Sequence, residues 1–172
     1  MKIMMNQTND DTSGSAPRLR SLLKWLAFTA SAMLTAAYIS AEYFQLLLIQ
    51  GDSMQPSYSD LQLVILDKCS KSYCPGDVIA FKCDGLSAVL VKRVAAVPKD
   101  TVIISDGRLL VNGMPSVVYP DSLFNFSGIL ENAVVLDNDE YIVIGDNISE
   151  SKDSRYESVG IVSAEDIIGR VM

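Results

Sequence analysis

Residues 89–94, Val-Leu-Val-Lys-Arg-Val, place two positive charges inside a run of branched apolar side chains. Such a run is typical of a buried β-strand. Because successive side chains of a strand alternate, Leu90, Lys92 and Val94 share one face, and burial of that face would take the amine into an apolar environment. Arg93 lies on the opposite face and is free to form a structural ion pair. A lysine at a strand edge or on the surface is the ordinary alternative.

Similar short runs recur along the chain and predict a mainly β fold. They cover residues 61–66, 77–81, 88–97, 101–104, 108–111, 141–144 and 166–172. Ser105-Asp106-Gly107 and Asn112-Gly113 between them are hairpin signals, so we expect antiparallel sheets in a sandwich or a partly open barrel. Residues 43–49 could form a first strand or an apolar surface that rests on lipid, and a strand packed wholly in the core is the favoured alternative.

An uncharged apolar run, residues 25–41, precedes the β segments. With Lys24 snorkelling, residues 21–41 approach the ~20 residues that a spanning helix needs. Arg18, Arg20 and Lys24 lie before the run, and the positive-inside rule places them in the cytoplasm. The following domain is then on the exported side. A cleavable signal peptide is the alternative, because a basic region followed by an apolar run and small residues also fits one.

Three segments are therefore expected. Residues 1–17 form a disordered cytoplasmic tail, residues 18–43 a transmembrane anchor or signal peptide, and residues 44–172 a β-rich domain with a short insertion at about 101–138. The twelve residues that join Ala41 to Ser53 reach about 40 Å when extended at ~3.3 Å each. Ser53 is thus held within about that distance of the bilayer surface.

Composition excludes two classes of function. The formal net charge is -7, and no cluster of basic residues is present, so nucleic acid is not an expected partner. The chain has no histidine, which excludes a Ser-His-Asp triad and requires another base for any serine nucleophile. No metal or cofactor is expected either.

The cysteines are Cys69, Cys74 and Cys83, and their spacing lacks the paired pattern of a zinc site. In an oxidising compartment Cys69 and Cys74 could form a disulfide across a hairpin-like loop and leave Cys83 free. The sequence leaves the pairing open. A catalytic cysteine is disfavoured, since no adjacent base accompanies any of the three.

The segment Gly51-Asp52-Ser53-Met54 offers a candidate nucleophile, and Lys92 offers a candidate base. A lysine with the reference pKa of ~10.4 is protonated at neutral pH, so a lysine base must be desolvated until its pKa falls. Burial beside Leu90 and Val94, with arginines nearby, would act in that direction. Taken alone, a serine after Gly-Asp is usually a turn residue.

Four segments in order make the chain resemble the type I signal peptidase family, whose members are Ser/Lys-dyad serine peptidases and include related conjugal-transfer maturation peptidases. They are GDSMQPSYSD from Gly51, CPGDVIAF from Cys74, VLVKRVAAVPKD from Val89 and GDNISESKDSRYESVGIVSAEDIIGRV from Gly145. One departure is Lys99, where the family usually has glycine. The resemblance implies an antiparallel catalytic domain of signal-peptidase type behind one N-terminal helix.

The resemblance also implies roles for individual residues. Ser53 matches the acylated nucleophile and Lys92 its general base. Gly51 stands where some members have a serine that contributes a hydroxyl to the oxyanion hole, so backbone N–H groups, including that of Ser53, must serve here. This implies a membrane-bound endopeptidase that cleaves leader peptides from exported preproteins.

Four further residues are implied as support for the dyad. Ser151 matches the serine whose hydroxyl orients the lysine amine. Asp153 and Arg155 match an ion pair that braces the site, with Arg93 as a further partner. A solvated surface pair is the ordinary alternative for Asp153 and Arg155.

Other functions fit parts of the same sequence. A specialised maturation peptidase of a conjugative-transfer or pilus-assembly system would share the dyad. A self-cleaving repressor would need a DNA-binding region where this chain has its apolar run, and a membrane-anchored β-domain without catalysis would not need Ser53 or Lys92. The expected partners are preproteins with a leader peptide, membrane lipid, and secretion or transfer machinery. The expected location is the inner (plasma) membrane, with a single pass and a cytoplasmic N-terminus.

Overall fold

The structure is a computed structural model that describes residues 16–172. The tail expected over residues 1–17 lies outside the described residues, apart from Ala16 and Pro17, which begin the first helix. Contacts divide the chain into two compact units, residues 1–41 and 42–172.

The first unit contains most of helix α1, Ala16–Tyr43. In this helix, Leu19–Tyr43 spans 25 residues and contains an 18-residue window with a mean hydropathy of 1.4, so it is long and apolar enough to cross a membrane. At ~1.5 Å per residue, such a stretch exceeds the ~30 Å hydrocarbon core of a bilayer. Large apolar side chains such as Leu23, Trp25 and Phe28 are exposed along it. A helix exposed in this way favours a lipid environment.

The second unit is built on a seven-stranded sheet in the order β1-β2-β11-β3-β4-β9-β10. Its strands are β1 Phe44–Leu48, β2 Leu63–Asp67, β3 Val78–Cys83, β4 Ala88–Ala96, β9 Glu140–Ile144, β10 Val162–Ser163 and β11 Ile167–Val171. Every neighbouring pair is antiparallel. The predicted mainly β, antiparallel fold is therefore confirmed.

The insertion forms a second, four-stranded antiparallel sheet in the order β7-β6-β5-β8. Its strands are β5 Thr101–Ser105, β6 Arg108–Val111, β7 Met114–Pro115 and β8 Val134–Val135. Both predicted hairpin signals lie at its turns, where Asp106, Gly107, Asn112 and Gly113 all have positive φ angles. Short 3₁₀ helices at Asp84–Leu86, Gly128–Glu131 and Ala164–Asp166 complete the described elements.

Buried side chains cover both faces of strand β4. Leu90 and Val94 pack in a cluster with Ile79, whereas Val91 packs in another cluster with Met54. The alternation predicted for residues 89–94 is thus present. A third cluster joins the far end of β4, at Ala95 and Ala96, to the insertion. Lys92 consequently lies in the middle of a strand that is surrounded by packed side chains.

Strand β1 resolves the expectation left open for residues 43–49. The segment pairs with β2 over its whole length, as a first strand would, yet Phe44, Leu46 and Leu48 are exposed. It is an edge strand with an apolar surface and not a core strand.

Two local features differ from the simple strand pattern. The register between β4 and β9 shifts between Val94 and Ala96, which marks a bulge just beyond Lys92. Lys99, found where the resembled family usually has glycine, has a φ of 75°, in the left-handed region that favours glycine.

Candidate functional site

Ser53 lies in the turn that connects β1 to β2. Backbone hydrogen bonds between Ile49 and Gln62 (2.9 Å) and between Leu61 and Ile49 (2.9 Å) close the base of this turn. Met54 is buried in the core and anchors the turn from below. Ser53 is held half-buried at a defined position beside the sheet.

The side chain of Lys92 extends from β4 to the same place. Its Nζ atom lies 2.6 Å from Oγ of Ser53 and donates to the backbone oxygen of Val91 at 3.0 Å. Only 3% of Lys92 is exposed. The structure thus brings together the two residues proposed as nucleophile and base, which are far apart in the sequence, at a distance suited to proton transfer.

Burial lowers the pKa of Lys92 from its usual value to about 8. The cause is desolvation, which disfavours the charged amine. The carboxylates of Asp153 and Asp146 act in the opposite direction and raise that pKa. The expectation that Arg93 and Arg155 would help to lower it is wrong, because burial and these two carboxylates account for the shift and neither arginine contributes to it.

The loop after β9 holds the backbone of the turn that carries Ser53. The N–H of Asn147 donates to the carbonyl oxygen of Ser53 at 3.1 Å, and its side-chain Nδ2 donates to that of Asp52 at 3.2 Å. Gly145 lies against the same carbonyl, since a Cβ placed on it would be 2.5 Å from the oxygen of Ser53 and 2.2 Å from Oγ of Ser151. No side chain fits at position 145.

Asp153 and Arg155 form a bidentate ion pair inside the loop after β9. Nε and Nη2 of Arg155 donate to the two oxygens of Asp153 at 2.8 Å and 2.9 Å. Asp153 is 0% exposed and Arg155 2%, so the solvated surface pair is excluded. Arg155 also donates to the carbonyl of Ile148 at 2.8 Å, and Asp153 accepts from the N–H of Gly145 at 3.1 Å. The pair therefore braces the loop that holds the turn carrying Ser53.

Arg93 belongs to a separate ion pair and not to that of Asp153 and Arg155. Its Nε donates to Oδ1 of Asp146 at 2.7 Å, and its Nη2 pairs with Oδ2. The hydroxyl of Tyr119, from the insertion, approaches Oδ1 of Asp146 at 3.4 Å and the carbonyl of Ile144 at 3.0 Å. Burial, followed by the nearby Asp146 charge, raises the pKa of the Tyr119 hydroxyl, which stays protonated and able to donate.

Ser151 packs beside Gly145, next to the Ser53 carbonyl, but makes no hydrogen bond with the amine of Lys92. Its Oγ atom is buried and has no hydrogen-bond partner among residues 16–172. The hydrogen bond that the resemblance implies between this hydroxyl and Lys92 is therefore not formed in the structure. Burial of a hydroxyl without a partner is costly, so the position of Ser151 beside Gly145 and Ser53 calls for a functional reason.

Gly51 contributes no side chain to the site. Its φ angle is 84°, a left-handed conformation that disfavours other residues, and its N–H donates to Oδ1 of Asp60 at 2.7 Å. Among the described residues, the N–H of Ser53 donates to no acceptor. It is free to receive an oxyanion.

A cleft of about 370 Å³ opens at the dyad. Its lining comes from the end of β1 and the two residues after it (residues 47–50), from Ser53 and Met54 of the turn, and from residues 88–92 of β4. Over residues 88–92, β4 is paired only with β3, because its pairing with β9 begins at Arg93. The strand edge that faces the cleft therefore has unpaired backbone groups.

The three cysteines lie away from the dyad and are free thiols in the structure. The disulfide between Cys69 and Cys74, which the sequence left open, is not formed. Cys83 is buried and lies 3.4 Å from the carbonyl of Ser158.

The family model described as signal peptidase, peptidase S26, matches residues 22–172. The chain belongs to this family. It is accordingly a serine endopeptidase of the signal peptidase type.

Individual relatives carry the same description. The chain is 29% identical over 160 residues to signal peptidase I P of Bacillus subtilis subsp. natto, covering 87% of this chain and 86% of that one. It is 30% identical over 138 residues to signal peptidase I U of Bacillus subtilis (strain 168), covering 74% and 73%. A signal peptidase I of Enterococcus faecalis V583 in a crystal structure aligns with a TM-score of 0.45 and 23% identity, covering 59% of this chain and 97% of that one.

Sequence reasoning did not assign roles to Asp146, Asn147, Gly145 and Tyr119. The first three belong to the Gly-Asp-Asn segment that carries the family resemblance, so their motif was a usable signal. No local sequence signal pointed to Tyr119, because its contact with Asp146 joins distant parts of the chain.

We expect Arg155→Ala to lower the free energy of unfolding by about 3–5 kcal/mol, because it leaves the carboxylate of Asp153 buried without a partner. Arg170→Ala is the matched control. Arg170 is 41% exposed and lies 3.8 Å from Asp67, so its loss should cost less than about 1 kcal/mol. Urea unfolding of the full chain in detergent, followed by circular dichroism, measures both. Equal losses for the two variants would contradict a bracing role for the buried pair.

Proposed function

We propose that the chain is a membrane-anchored endopeptidase that removes leader peptides from exported preproteins, with Ser53 as nucleophile and Lys92 as general base. The observation that carries this proposal is the 2.6 Å distance between Nζ of Lys92 and Oγ of Ser53. The lowered pKa of Lys92 supports it, since an amine with a pKa of about 8 is neutral in a useful fraction of molecules near neutral pH.

In the first half of the reaction, Oγ of Ser53 attacks the scissile carbonyl carbon while its proton moves to the neutral amine of Lys92. The resulting ammonium then donates that proton to the leaving nitrogen, the C–N bond breaks, and an ester joins the leader peptide to Ser53. In the second half, neutral Lys92 takes a proton from an attacking water. The C–O bond to Ser53 breaks, and the proton returns to Oγ.

The negative charge on the carbonyl oxygen needs a donor in both halves. The free N–H of Ser53 is the donor that we propose, because the position of Gly51 offers no hydroxyl. Asn147 keeps this N–H in place by fixing the carbonyl on the other side of the same residue.

The cleft at the dyad supports binding of an extended peptide. A leader peptide could add to the unpaired edge of β4 at residues 88–91 and receive backbone hydrogen bonds there. The scissile carbonyl would then meet Ser53, which lines the same cleft. A preference for small residues just before the scissile bond is implied by the family resemblance alone.

We propose that the first helix crosses the inner (plasma) membrane once, with the basic residues Arg18, Arg20 and Lys24 in the cytoplasm and the β-rich unit on the exported side. Membrane lipid and the secretion machinery that delivers preproteins are the proposed partners. The relatives named above are described as signal peptidase I, and no observation on this chain favours a maturation peptidase of a transfer or pilus system.

The dyad predicts that Ser53→Ala and Lys92→Ala each abolish cleavage of a model preprotein while the domain stays folded. Because both residues act in one proton transfer, the double variant should be no slower than either single variant. Lys92→Arg should be equally inactive, since a guanidinium does not lose its proton at working pH. Cleavage is followed by mass determination of the product ends. Near-normal turnover in any of these variants would refute the assignment.

The pH dependence of acylation should report Lys92. Below pH ~8 the amine is protonated and cannot accept the Ser53 proton, so the rate should rise about tenfold per pH unit and level off above the pKa of about 8. Asp146→Asn removes a charge that raises the pKa of Lys92, so in this variant the rise in rate with pH should occur at lower pH. Single-turnover rates over pH 5–10 test both points. If any residual activity of Lys92→Ala rises with pH over the same range as that of the wild type, another group is the base.

The proposed topology predicts that a periplasmic reporter fused after Met172 is active, whereas a cytoplasmic reporter at the same point is inactive. The chain should also stay in the membrane fraction after carbonate washing, with residues 25–41 still attached. A released product whose N-terminus lies near Glu42 would show that the apolar run is a cleaved signal peptide.

A further inference from the structure

A second cavity, of about 620 Å³, opens next to the nucleophile turn. It is formed where three parts of the chain meet: the end of the turn, the insertion and the loop after β9. Its uncharged lining includes Gln55, Pro56, Leu123, Phe126, Asn147 and Tyr156. None of the proposed catalytic steps uses it.

The two cavities meet the turn at consecutive residues. Ser53 and Met54 line the cleft beside the dyad, and Gln55 and Pro56 line the second cavity. Asn147, which holds the carbonyls of Asp52 and Ser53, also lines the second cavity. An extended chain advances ~3.3 Å per residue, so a peptide cleaved at Ser53 reaches this cavity within two or three residues.

The lining combines apolar side chains with amides. Leu123 is 65% exposed and Phe126 45%, and the ring of Phe126 packs 4.7 Å from that of Tyr156. Exposed apolar side chains in a concave site favour a ligand that covers them. The amide NH2 groups of Gln55 and Asn147 both donate to Asp52, which leaves Oε1 of Gln55 as an acceptor for a peptide N–H. This mixture fits an extended polypeptide.

The charged groups that line the cavity are already committed. Asp146 is paired with Arg93, and Arg155 is paired with Asp153. A charged side chain entering the cavity would lose water without gaining a free partner. The occupant should therefore be uncharged.

We propose that this cavity binds the segment of the preprotein that follows the scissile bond, and that it selects an uncharged segment with a large apolar side chain at about the second to fourth position. The inference rests on the proposed function. It assigns Leu123 and Phe126, which belong to the insertion, as specificity-determining residues for the departing part of the substrate.

The test uses the full chain in detergent and two substrates with the same leader sequence. One is a preprotein fragment with leucine at the second to fourth positions after the scissile bond. The other is a peptide ester in which a small alcohol replaces everything after that bond. Leu123→Ala/Phe126→Ala should lower kcat/KM about tenfold for the fragment and less than twofold for the ester. Leu123→Ala alone, at an exposed side chain, gives a smaller loss and serves if the double variant does not fold.

Val135→Ala is the matched control, because Val135 is an exposed residue of the same insertion that does not line the cavity. It should leave both substrates unchanged. Replacing the leucines of the fragment by alanine should slow the wild type about tenfold and have little further effect on the double variant, since both changes remove the same apolar contact.

Each other result overturns the inference. An equal loss for fragment and ester would show a structural role, and no loss for either would show that the cavity is not used. A loss for both substrates that appears only when lipid vesicles are added would assign the cavity to lipid. If the wild type cleaves neither substrate, the proposed function itself fails, which separates that outcome from failure of the cavity alone.

Discussion

The amine of Lys92 is buried with two described hydrogen-bond partners, Oγ of Ser53 and the carbonyl of Val91, and neither is a carboxylate. A surface lysine would keep its proton, and a lysine in contact with a carboxylate would hold it more tightly. Strand β4 keeps the amine away from both water and carboxylates. Packed clusters cover its two faces, and the neighbouring strands place no acidic residue beside the amine. The capacity of the site to accept a proton thus depends on the completeness of the core around one strand.

Each of the two carboxylates near this amine is neutralised by an arginine in an ion pair. Asp153 and Asp146 both raise the pKa of Lys92, but each is bound to an arginine and cannot move to the amine itself. The same pairs order the loop after β9, whose Asn147 fixes the carbonyl of Ser53. Electrostatic balance and placement of Ser53 therefore depend on the same few side chains.

Local sequence patterns predicted most of the fold. The runs that became β2, β3, β4, β5, β6, β9 and β11 were found to within a few residues, because their branched side chains alternate and turn residues bound them. The two-residue strands β7, β8 and β10 were not predicted, since such short pairings depend on tertiary contacts and have no period of their own. At the site, Ser53 and Lys92 were identified from motifs, and Arg93 was correctly expected in an ion pair. Its partner Asp146, the contact from Tyr119 and the unpartnered hydroxyl of Ser151 depend on distances between remote segments, which no local pattern contains.

The hydrogen bonds of Tyr119 have a consequence for how this architecture can vary. Through that single hydroxyl the insertion reaches Ile144 and Asp146, and the cluster around Leu130 and Phe124 continues into the last residues of β4. The insertion is thus a wall of the catalytic unit and not an appended module. A version of this domain with a longer or shorter insertion can gain or lose residues at the exposed hairpin tip near Gly113, whereas the tip at Gly107 is held by the N–H of the buried Phe124 at 2.8 Å. Removal of the whole insertion would open the interior beside β4, the strand that carries Lys92, to water.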